Sequence, residues 1–162
     1  MSFLKFLAAF LNPNQITPSM MKVTLNRVNQ DYLFEVTNDN GHKLLLDNKS
    51  KEEGKVEGIS PMELLLAALG GCSSIDIVAI LNKQKINPTD IKMDIEGDRT
   101  PDVMPSMFQK IKVNVRLEGD IHPEKARRAV SLSFDKYCSV AKILEHSTSI
   151  KYSIFINGTE LS

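Results

Sequence analysis

The sequence predicts an α+β fold, and three features of its hydrophobic pattern support that prediction. Short runs that alternate apolar and polar residues fill residues 21–47, and similar runs recur after residue 90. Residues 62–81, between these strand-forming regions, are apolar on nearly every side of a helix. A second helical spacing begins at Pro123. The chain therefore alternates between sheet-forming and helix-forming regions around one central helix.

The N-terminal strand region contains three separate runs. They read VTLNRV, YLFEVTN and HKLLLD, and residues 29–31 and 38–41 between them are rich in Asn and Asp, which favour turns. Short alternating runs with such turns predict an antiparallel meander. The preceding segment has an apolar run over residues 6–11 that does not resemble a secretion signal. We therefore expect an N-terminal extension of residues 1–20 and one domain over residues 21–162.

Composition limits the classes of function. A chain of 162 residues that are 42% hydrophobic suits one domain with its own core. Twenty basic and twenty acidic side chains cancel, so no excess charge attracts the chain to nucleic acid or to a membrane surface. Two cysteines without a CxxC pair indicate neither a disulfide framework nor a zinc site, and we expect no metal or organic cofactor. Reduced thiols of this kind are typical of a cytoplasmic protein.

Three residues mark the start of the central helix. Ser60 is a capping residue, Pro61 suits the first helical position, and Glu63 places a negative charge in the first turn. Residues 62–81 are also long enough for a membrane span, but Glu63, Asp76 and paired serines interrupt the apolar run. We therefore expect a central helix that is buried on all sides and wrapped by sheet.

The C-terminal half predicts strands and helices in alternation. They are strands over residues 91–96 and 111–117, a helix from residue 123 to residue 138, a short helix over residues 140–146 and a closing strand over residues 150–156. Cys138 and Ser139 mark the joint between the two helices. The long loop between the first two strands contains Pro101 and Pro105.

The two cysteines have different local settings. Cys72 follows Gly70 and Gly71 inside the central helix, where the missing side chains let another backbone or a ligand approach closely. Tight packing around a small buried thiol explains the same pattern equally well. Cys138 falls where one helix ends and the next begins, and the backbone N–H groups of a helix start stabilise a thiolate. By this argument Cys138 is the more acidic thiol.

Two segments carry a family resemblance. The stretch SPMELLLAALGGCSSIDIVAIL, which holds Cys72, and the stretch LSFDKYCSVAKIL, which holds Cys138, resemble the osmotically inducible protein C (OsmC) and organic hydroperoxide resistance (Ohr) family. The resemblance covers residues 21–158. It implies an OsmC-like α+β fold, with curved antiparallel sheets around a long buried central helix. It also implies a swapped homodimer with two active sites at the subunit interface.

The resemblance further implies a thiol peroxidase. Cys72 would attack the O–O bond of an organic hydroperoxide and become a sulfenic acid, and Cys138 would condense with it to a disulfide. A dithiol reductant would then open that disulfide. The two cysteines are thus the expected catalytic residues, and the expected partners are a second copy of the chain, the peroxide and the dithiol.

Activation of the attacking thiol involves further residues, and here the sequence departs from the hydroperoxide-reducing members of the family. Those members carry a glutamate directly after the proline of the helix-opening motif, where this chain has Met62, with Glu63 one position later. Glu63 is nine positions before Cys72, so helix geometry favours a role as an N-terminal carboxylate. Arg99 and Arg27 are the candidate cations for the thiolate, and the resemblance favours Arg99.

Asp76 lies one helical turn after Cys72, on the same face of the helix. A bare carboxylate there would slow attack by the thiolate, whereas one paired with an arginine would hold that guanidinium beside the sulfur. The leading hypothesis is a cysteine-based hydroperoxide reductase that prefers organic substrates. The alternatives are a redox sensor or apolar-ligand-binding protein without significant turnover, and a structural domain with inert, buried cysteines.

Overall fold

The computed structural model describes residues 20–49, 54–101 and 103–162. The predicted N-terminal extension, residues 1–20, lies outside this part of the chain except for its last residue, so it stays a prediction. The chain divides into two compact units, Met1–Gly58 and Ile59–Ser162. The single domain predicted over residues 21–162 also stays a prediction.

The N-terminal unit contains the predicted antiparallel meander. Its strands, β1 (Val23–Arg27), β2 (Phe34–Asn38) and β3 (Lys43–Leu46), pair antiparallel in chain order. Asn29 and Asn38 accept backbone N–H groups with their side-chain oxygens in the two connecting loops, as turn-forming asparagines do. The prediction of three strands with two asparagine-containing turns is confirmed.

The central helix, α1, spans Pro61–Lys83. The Ser60 hydroxyl accepts the backbone N–H of Glu63, and the Glu63 carboxylate accepts the backbone N–H and the hydroxyl of Ser60 at 2.9 and 2.8 Å. This reciprocal capping box satisfies N–H groups that a helix start leaves free. The predicted start of the helix is confirmed.

The C-terminal unit contains a four-stranded mixed sheet. In sheet order its strands are β4 (Asp90–Arg99), β5 (Phe108–Glu118), β6 (Ser149–Ile156) and β7 (Thr159–Glu160). The β4–β5 pair is antiparallel, as expected, and so is the β6–β7 pair, but β5 and β6 are parallel, so the prediction of antiparallel sheets is wrong for this pair. A helical crossover joins β5 to β6, which is the connection that parallel neighbours require.

Three helical pieces form this crossover. They are α2 (Pro123–Leu132), a π-helical turn (Ser133–Tyr137) and α3 (Ser139–Leu144). The sequence predicts one continuous helix over residues 123–138, whereas the α-helical part is shorter and the wider π-helical turn carries the chain to Cys138. Single π-helical turns are frequent at functional sites.

A tight hairpin at Asn157 and Gly158 joins β6 to β7. Both residues have positive φ angles, 48° and 79°, as in a type I′ turn. β7 is not among the predicted strands, because its two residues are too few to show an alternating pattern. The Asn-Gly pair itself is a hairpin signal that would have revealed it.

Close packing of α1 on the sheet depends on two glycines. A Cβ atom at Gly70 would lie 2.6 Å from the Ile95 side chain of β4, and one at Gly97 of β4 would collide with the ring of Phe108 and lie 3.2 Å from Leu66 of α1. Gly70 therefore serves tight packing, one of the two explanations that the sequence offers. The core at this contact is formed by buried side chains of α1, β5 and the crossover, among them Leu69, Ile77, Leu81, Ile111, Val113, Val115, Leu117 and Val130.

One face of α1 is exposed in the part of the chain that the structure describes. Ala68, Gly71, Ile75 and Ala79 lie on this face at spacings of three and four residues. A Cβ atom at Gly71 would meet nothing within 4 Å. Burial on all sides, which the sequence predicts, is therefore incomplete within one chain. By length and hydropathy α1 would also qualify as a membrane span, but core helices pass the same test.

Candidate functional site

Cys72 lies in the middle of α1, two residues beyond Gly70. Its side chain is half-buried and packs against the hydrophobic core of the C-terminal unit. The adjacent Ser73 is fully buried and donates its hydroxyl to the carbonyl oxygen of Leu69 at 2.7 Å. Cys72 thus combines an apolar environment with partial access from solvent.

Cys138 is the N-cap residue of α3. It is fully buried, and its Sγ accepts the backbone N–H of Ala141 at 3.4 Å. Its own backbone N–H donates to the carbonyl oxygen of Ser133 at 2.8 Å. Backbone groups on both sides of the residue therefore orient Cys138.

A buried hydrogen bond links the two segments that carry the cysteines. The Ser133 hydroxyl donates to the carbonyl oxygen of Ser73 on α1 at 3.2 Å. Ser73 directly follows Cys72, and Ser133 accepts the backbone N–H of Cys138. The π-helical turn is thereby held against α1 next to both thiols.

Three polar side chains meet beside this link. The sulfur atoms of Cys72 and Cys138 and a carboxylate oxygen of Asp76 all lie within 4.8 Å of one another. The position of Asp76 on the same helical face as Cys72 agrees with its predicted place one turn away. Its Oδ2 is buried and has no hydrogen-bond partner among the described residues. The structure thus brings the two expected redox cysteines together and places a carboxylate beside both.

Burial makes Cys138 a weaker acid, not a stronger one. Desolvation, followed in size by a hydrogen bond with Cys72, raises the pKa of Cys138 to about 12. The backbone N–H groups of Ala141 and Val140 lower this pKa, as expected at a helix start, but their effect is smaller than that of burial. The expectation of an acidic Cys138 thiol is therefore wrong. The helix start is visible in the sequence, whereas the burial of the sulfur is not.

The roles predicted from the sequence have different outcomes for Glu63, Arg27 and Asp76. Glu63 serves the capping box of α1, the role that its distance from Cys72 along the helix favours. Arg27 ends β1 in the N-terminal unit, opposite Phe34, and its role as the activating cation stays a prediction. For Asp76, none of the described contacts is an ion pair with an arginine, so that alternative finds no support.

Arg99 ends β4 and lines an apolar pocket of about 510 Å³. Its Nε and Nη2 atoms donate to the carbonyl oxygen of Ser106 at 3.0 and 2.8 Å. Met62 and Leu65 of α1 contribute to the apolar lining, and neither cysteine is among the described residues that line the pocket. Leu65 precedes Cys72 by about two helical turns, or roughly 10 Å along the axis. The role of Arg99 as the activating cation also stays a prediction.

A second pocket, of about 530 Å³, includes Asp76 in its lining. Arg128 of α2, Tyr137 of the π-helical turn and Lys83 of α1 lie in the same lining. None of these three is a predicted site residue. Two of them carry a signal in the sequence, because Lys83 lies about two helical turns after Asp76 on α1 and Tyr137 directly precedes Cys138. Arg128 comes close to Asp76 only through the packing of the crossover.

Comparisons with known proteins agree with this architecture. The family described as OsmC-like protein matches residues 52–153. Protein YhfA of Escherichia coli strain K12 is 38% identical over 114 residues, which are 70% of this chain and 81% of YhfA. The chain belongs to the OsmC-like protein family. The resemblance carried by the two cysteine segments is confirmed.

Solved structures of other proteins match the fold over most of the chain. A hypothetical protein from Aquifex aeolicus is 28% identical with a TM-score of 0.76, covering 86% of this chain and 98% of its own. An organic hydroperoxide resistance protein from Elizabethkingia anophelis is 13% identical with a TM-score of 0.69, covering 88% of this chain and 99% of its own. At 13% identity the second likeness concerns the fold alone. The predicted OsmC-like α+β fold is confirmed.

The unequal burial of the two sulfurs predicts unequal labelling. In the folded, reduced protein an alkylating reagent should modify Cys72 at least about tenfold faster than Cys138, because reaction needs an accessible thiolate. Mass spectrometry of peptides from a time course measures both rates in one sample. In denatured protein, the control, the two thiols should react alike. Equal protection of both thiols in the folded chain would instead support a structural domain with inert cysteines.

Proposed function

We propose that this OsmC-like chain is a thiol-dependent peroxidase that reduces organic hydroperoxides. The observation that carries the proposal is the pair of sulfur atoms within 4.8 Å of each other, one half-buried and one fully buried. Several solved structures with this fold are named organic hydroperoxide resistance proteins, which supports the same chemistry. In this proposal Cys72 attacks the peroxide and Cys138 resolves the product.

The reaction balances with the two thiols and one external dithiol. The Cys72 sulfur attacks the terminal oxygen of the hydroperoxide, the O–O bond breaks, an alcohol leaves, and Cys72 becomes a sulfenic acid. The Cys138 sulfur then displaces the sulfenic hydroxyl, which leaves as water with the Cys138 proton, and an S–S bond forms. A dithiol reduces this bond by thiol–disulfide exchange and is itself oxidised.

The environments of the two sulfurs suit this order of events. Cys72 is the sulfur that a peroxide reaches first, because Cys138 is fully buried. Burial keeps Cys138 reduced until the sulfenic acid forms beside it, which limits further oxidation of Cys72. The apolar packing around Cys72 favours organic hydroperoxides over hydrogen peroxide. Since the cycle needs a steady supply of dithiol, we place it in the cytoplasm.

A redox sensor without significant turnover is the second candidate, and Asp76 is the observation that favours it. A negative charge within 4.8 Å of both sulfurs opposes formation of a thiolate at either one. A sensor would tolerate slow oxidation, because a single oxidation of its thiols is enough to produce the signal. The number of turnovers separates the two candidates.

We expect the full-length chain to consume many equivalents of cumene hydroperoxide when a dithiol is supplied. Cys72→Ser should reduce the rate to background, because the remaining cysteine is buried. Cys138→Ser should lose most of the turnover, and its Cys72 should accumulate as sulfinic acid, which mass spectrometry detects. Hydrogen peroxide should be consumed more slowly than the organic substrate. Peroxide loss over time is the measurement.

Two aspartate variants serve as a matched pair in the same assay. Asp76→Asn should raise the rate a few-fold, because it removes a negative charge from beside the sulfurs. Asp98→Asn makes the same change on the exposed side of β4 and should leave the rate unaltered. A native chain that stops after one oxidation, although labelling reagents reach Cys72, would contradict the peroxidase and favour the sensor.

We also propose that a second copy of the chain covers the exposed face of α1. Ala68, Gly71, Ile75 and Ala79 form an apolar face of mostly small side chains, and Gly71 leaves room for close approach of another helix. Exposed apolar patches mark interaction sites in soluble proteins. A homodimer, with exchange of elements between the copies, is also what the resemblance to OsmC and Ohr proteins implies.

A charge on this face should separate the two copies. Ile75→Glu would bury a carboxylate at the contact and should yield a monomer. Ile143→Glu on α3 is the matched control, because Ile143 is 70% exposed and Ile75 is 72% exposed. Sedimentation equilibrium measures the masses of both variants and of the native chain. A monomeric native chain, or dissociation by both variants alike, would contradict this role of α1.

A further inference from the structure

The unpartnered oxygen of Asp76 is the feature that peroxidase chemistry leaves unexplained. Oδ2 is buried and accepts no hydrogen bond from the described residues, although Lys83 and Arg128 line the same pocket as Asp76. Native proteins leave few buried polar atoms without a partner, because each one costs free energy. Negative charge beside an attacking sulfur also brings a peroxidase no advantage. A positively charged ligand at this position would explain both observations.

The donor atoms here have the arrangement of a metal site. Cys72 and Asp76 are four residues apart on α1, the spacing at which the two histidines of H-E-x-x-H sites reach one zinc ion. Cys138 adds a third donor from the start of α3, and the three donor atoms lie within 4.8 Å of one another.

Little movement would complete the coordination. With Zn–S bonds of about 2.3 Å and Zn–O bonds of about 2.0–2.2 Å, donors around a tetrahedral zinc ion lie about 3.5–3.8 Å apart. The widest separation in the cluster therefore has to close by at most about 1.3 Å, which small rotations of the short cysteine and aspartate side chains can supply.

We propose that Cys72, Asp76 and Cys138 bind a thiophilic divalent cation, and that zinc is the best match. Thiolates select zinc over magnesium and calcium, and zinc also accepts a carboxylate oxygen. Three protein ligands leave the fourth tetrahedral position for water, as in catalytic zinc sites. The sequence does not show this ligand group, because Cys138 is distant from Cys72 along the chain and only the fold brings them together.

Zinc binding and thiol oxidation would exclude each other, because both use the same two sulfurs. Oxidation of the two zinc-bound thiolates by an organic hydroperoxide would transfer two electrons to the O–O bond and take up two protons from solvent. It would yield an alcohol and water, form the S–S bond and release Zn²⁺. This consequence rests on the proposed peroxidase, whereas the metal site itself does not.

Zinc binding can be measured on the reduced full-length chain after removal of the reductant. We expect one Zn²⁺ per chain by titration calorimetry, and Co²⁺ should give the charge-transfer absorption of a thiolate-bound ion. Asp76→Asn should weaken zinc binding by about 10- to 100-fold while the sulfur band persists, and Cys72→Ser or Cys138→Ser should weaken it more. Asp98→Asn is the matched control and should bind as the native chain does. Circular dichroism checks that each variant is folded.

Three results would overturn the metal site: no zinc binding, unchanged affinity in folded Asp76→Asn, or a sulfur band whose intensity is unchanged by either cysteine substitution. Peroxide turnover is measured separately on chelator-treated protein. Zinc binding without turnover would support the metal site and contradict the peroxidase. Turnover without zinc binding would contradict the metal site and leave the peroxidase standing.

Discussion

The hydrogen bond from the Ser133 hydroxyl to the carbonyl oxygen of Ser73 ties the crossover to the central helix, and the placement of the two thiols depends on it. On one side of this bond, Ser73 is the neighbour of Cys72. On the other, Ser133 begins the π-helical turn and accepts the backbone N–H of Cys138. Cys138 then leaves the turn in an extended conformation, with φ −67° and ψ 102°, and begins α3 as its N-cap.

Packing of the hydrophobic core around this hydrogen bond fixes the positions of the two thiols. Phe134 of the π-helical turn stacks on Tyr152 of β6, with ring centroids 4.9 Å apart. Gly70 lets α1 approach Ile95 of β4. Sites built on packed helices and strands hold their geometry better than sites on loops. The same burial removes water from the Cys138 sulfur. A reaction that uses this sulfur as a thiolate therefore needs a partner that compensates for the lost hydration. A sulfenic acid on Cys72 and a bound cation are two such partners.

Local signals in the sequence predict the elements, whereas the environment of the site comes from long-range packing. The capping residue Ser60 and the following Pro61 predict the first residue of α1, and helical spacing predicts that Asp76 lies beside Cys72. No local signal shows that Cys138 is buried, because its cover comes from segments far apart in the chain. Proximity of the two cysteines follows from the family resemblance and not from spacing. The parallel β5–β6 pair is missed for a similar reason, since alternation shows a strand but not its direction.

Formation of a Cys72–Cys138 disulfide within one chain tests most directly whether the two sulfurs form one reactive pair. Equal amounts of isotopically labelled and unlabelled chain are mixed in denaturant, refolded together under reducing conditions so that any dimers contain both kinds of chain, and treated with one equivalent of an organic hydroperoxide. They are then digested without reduction and examined by mass spectrometry. The expected product links the two cysteine peptides and carries the label on both or on neither. Sulfinic acid on Cys72 with a free Cys138 thiol, or linked peptides of mixed labelling, would contradict the pairing.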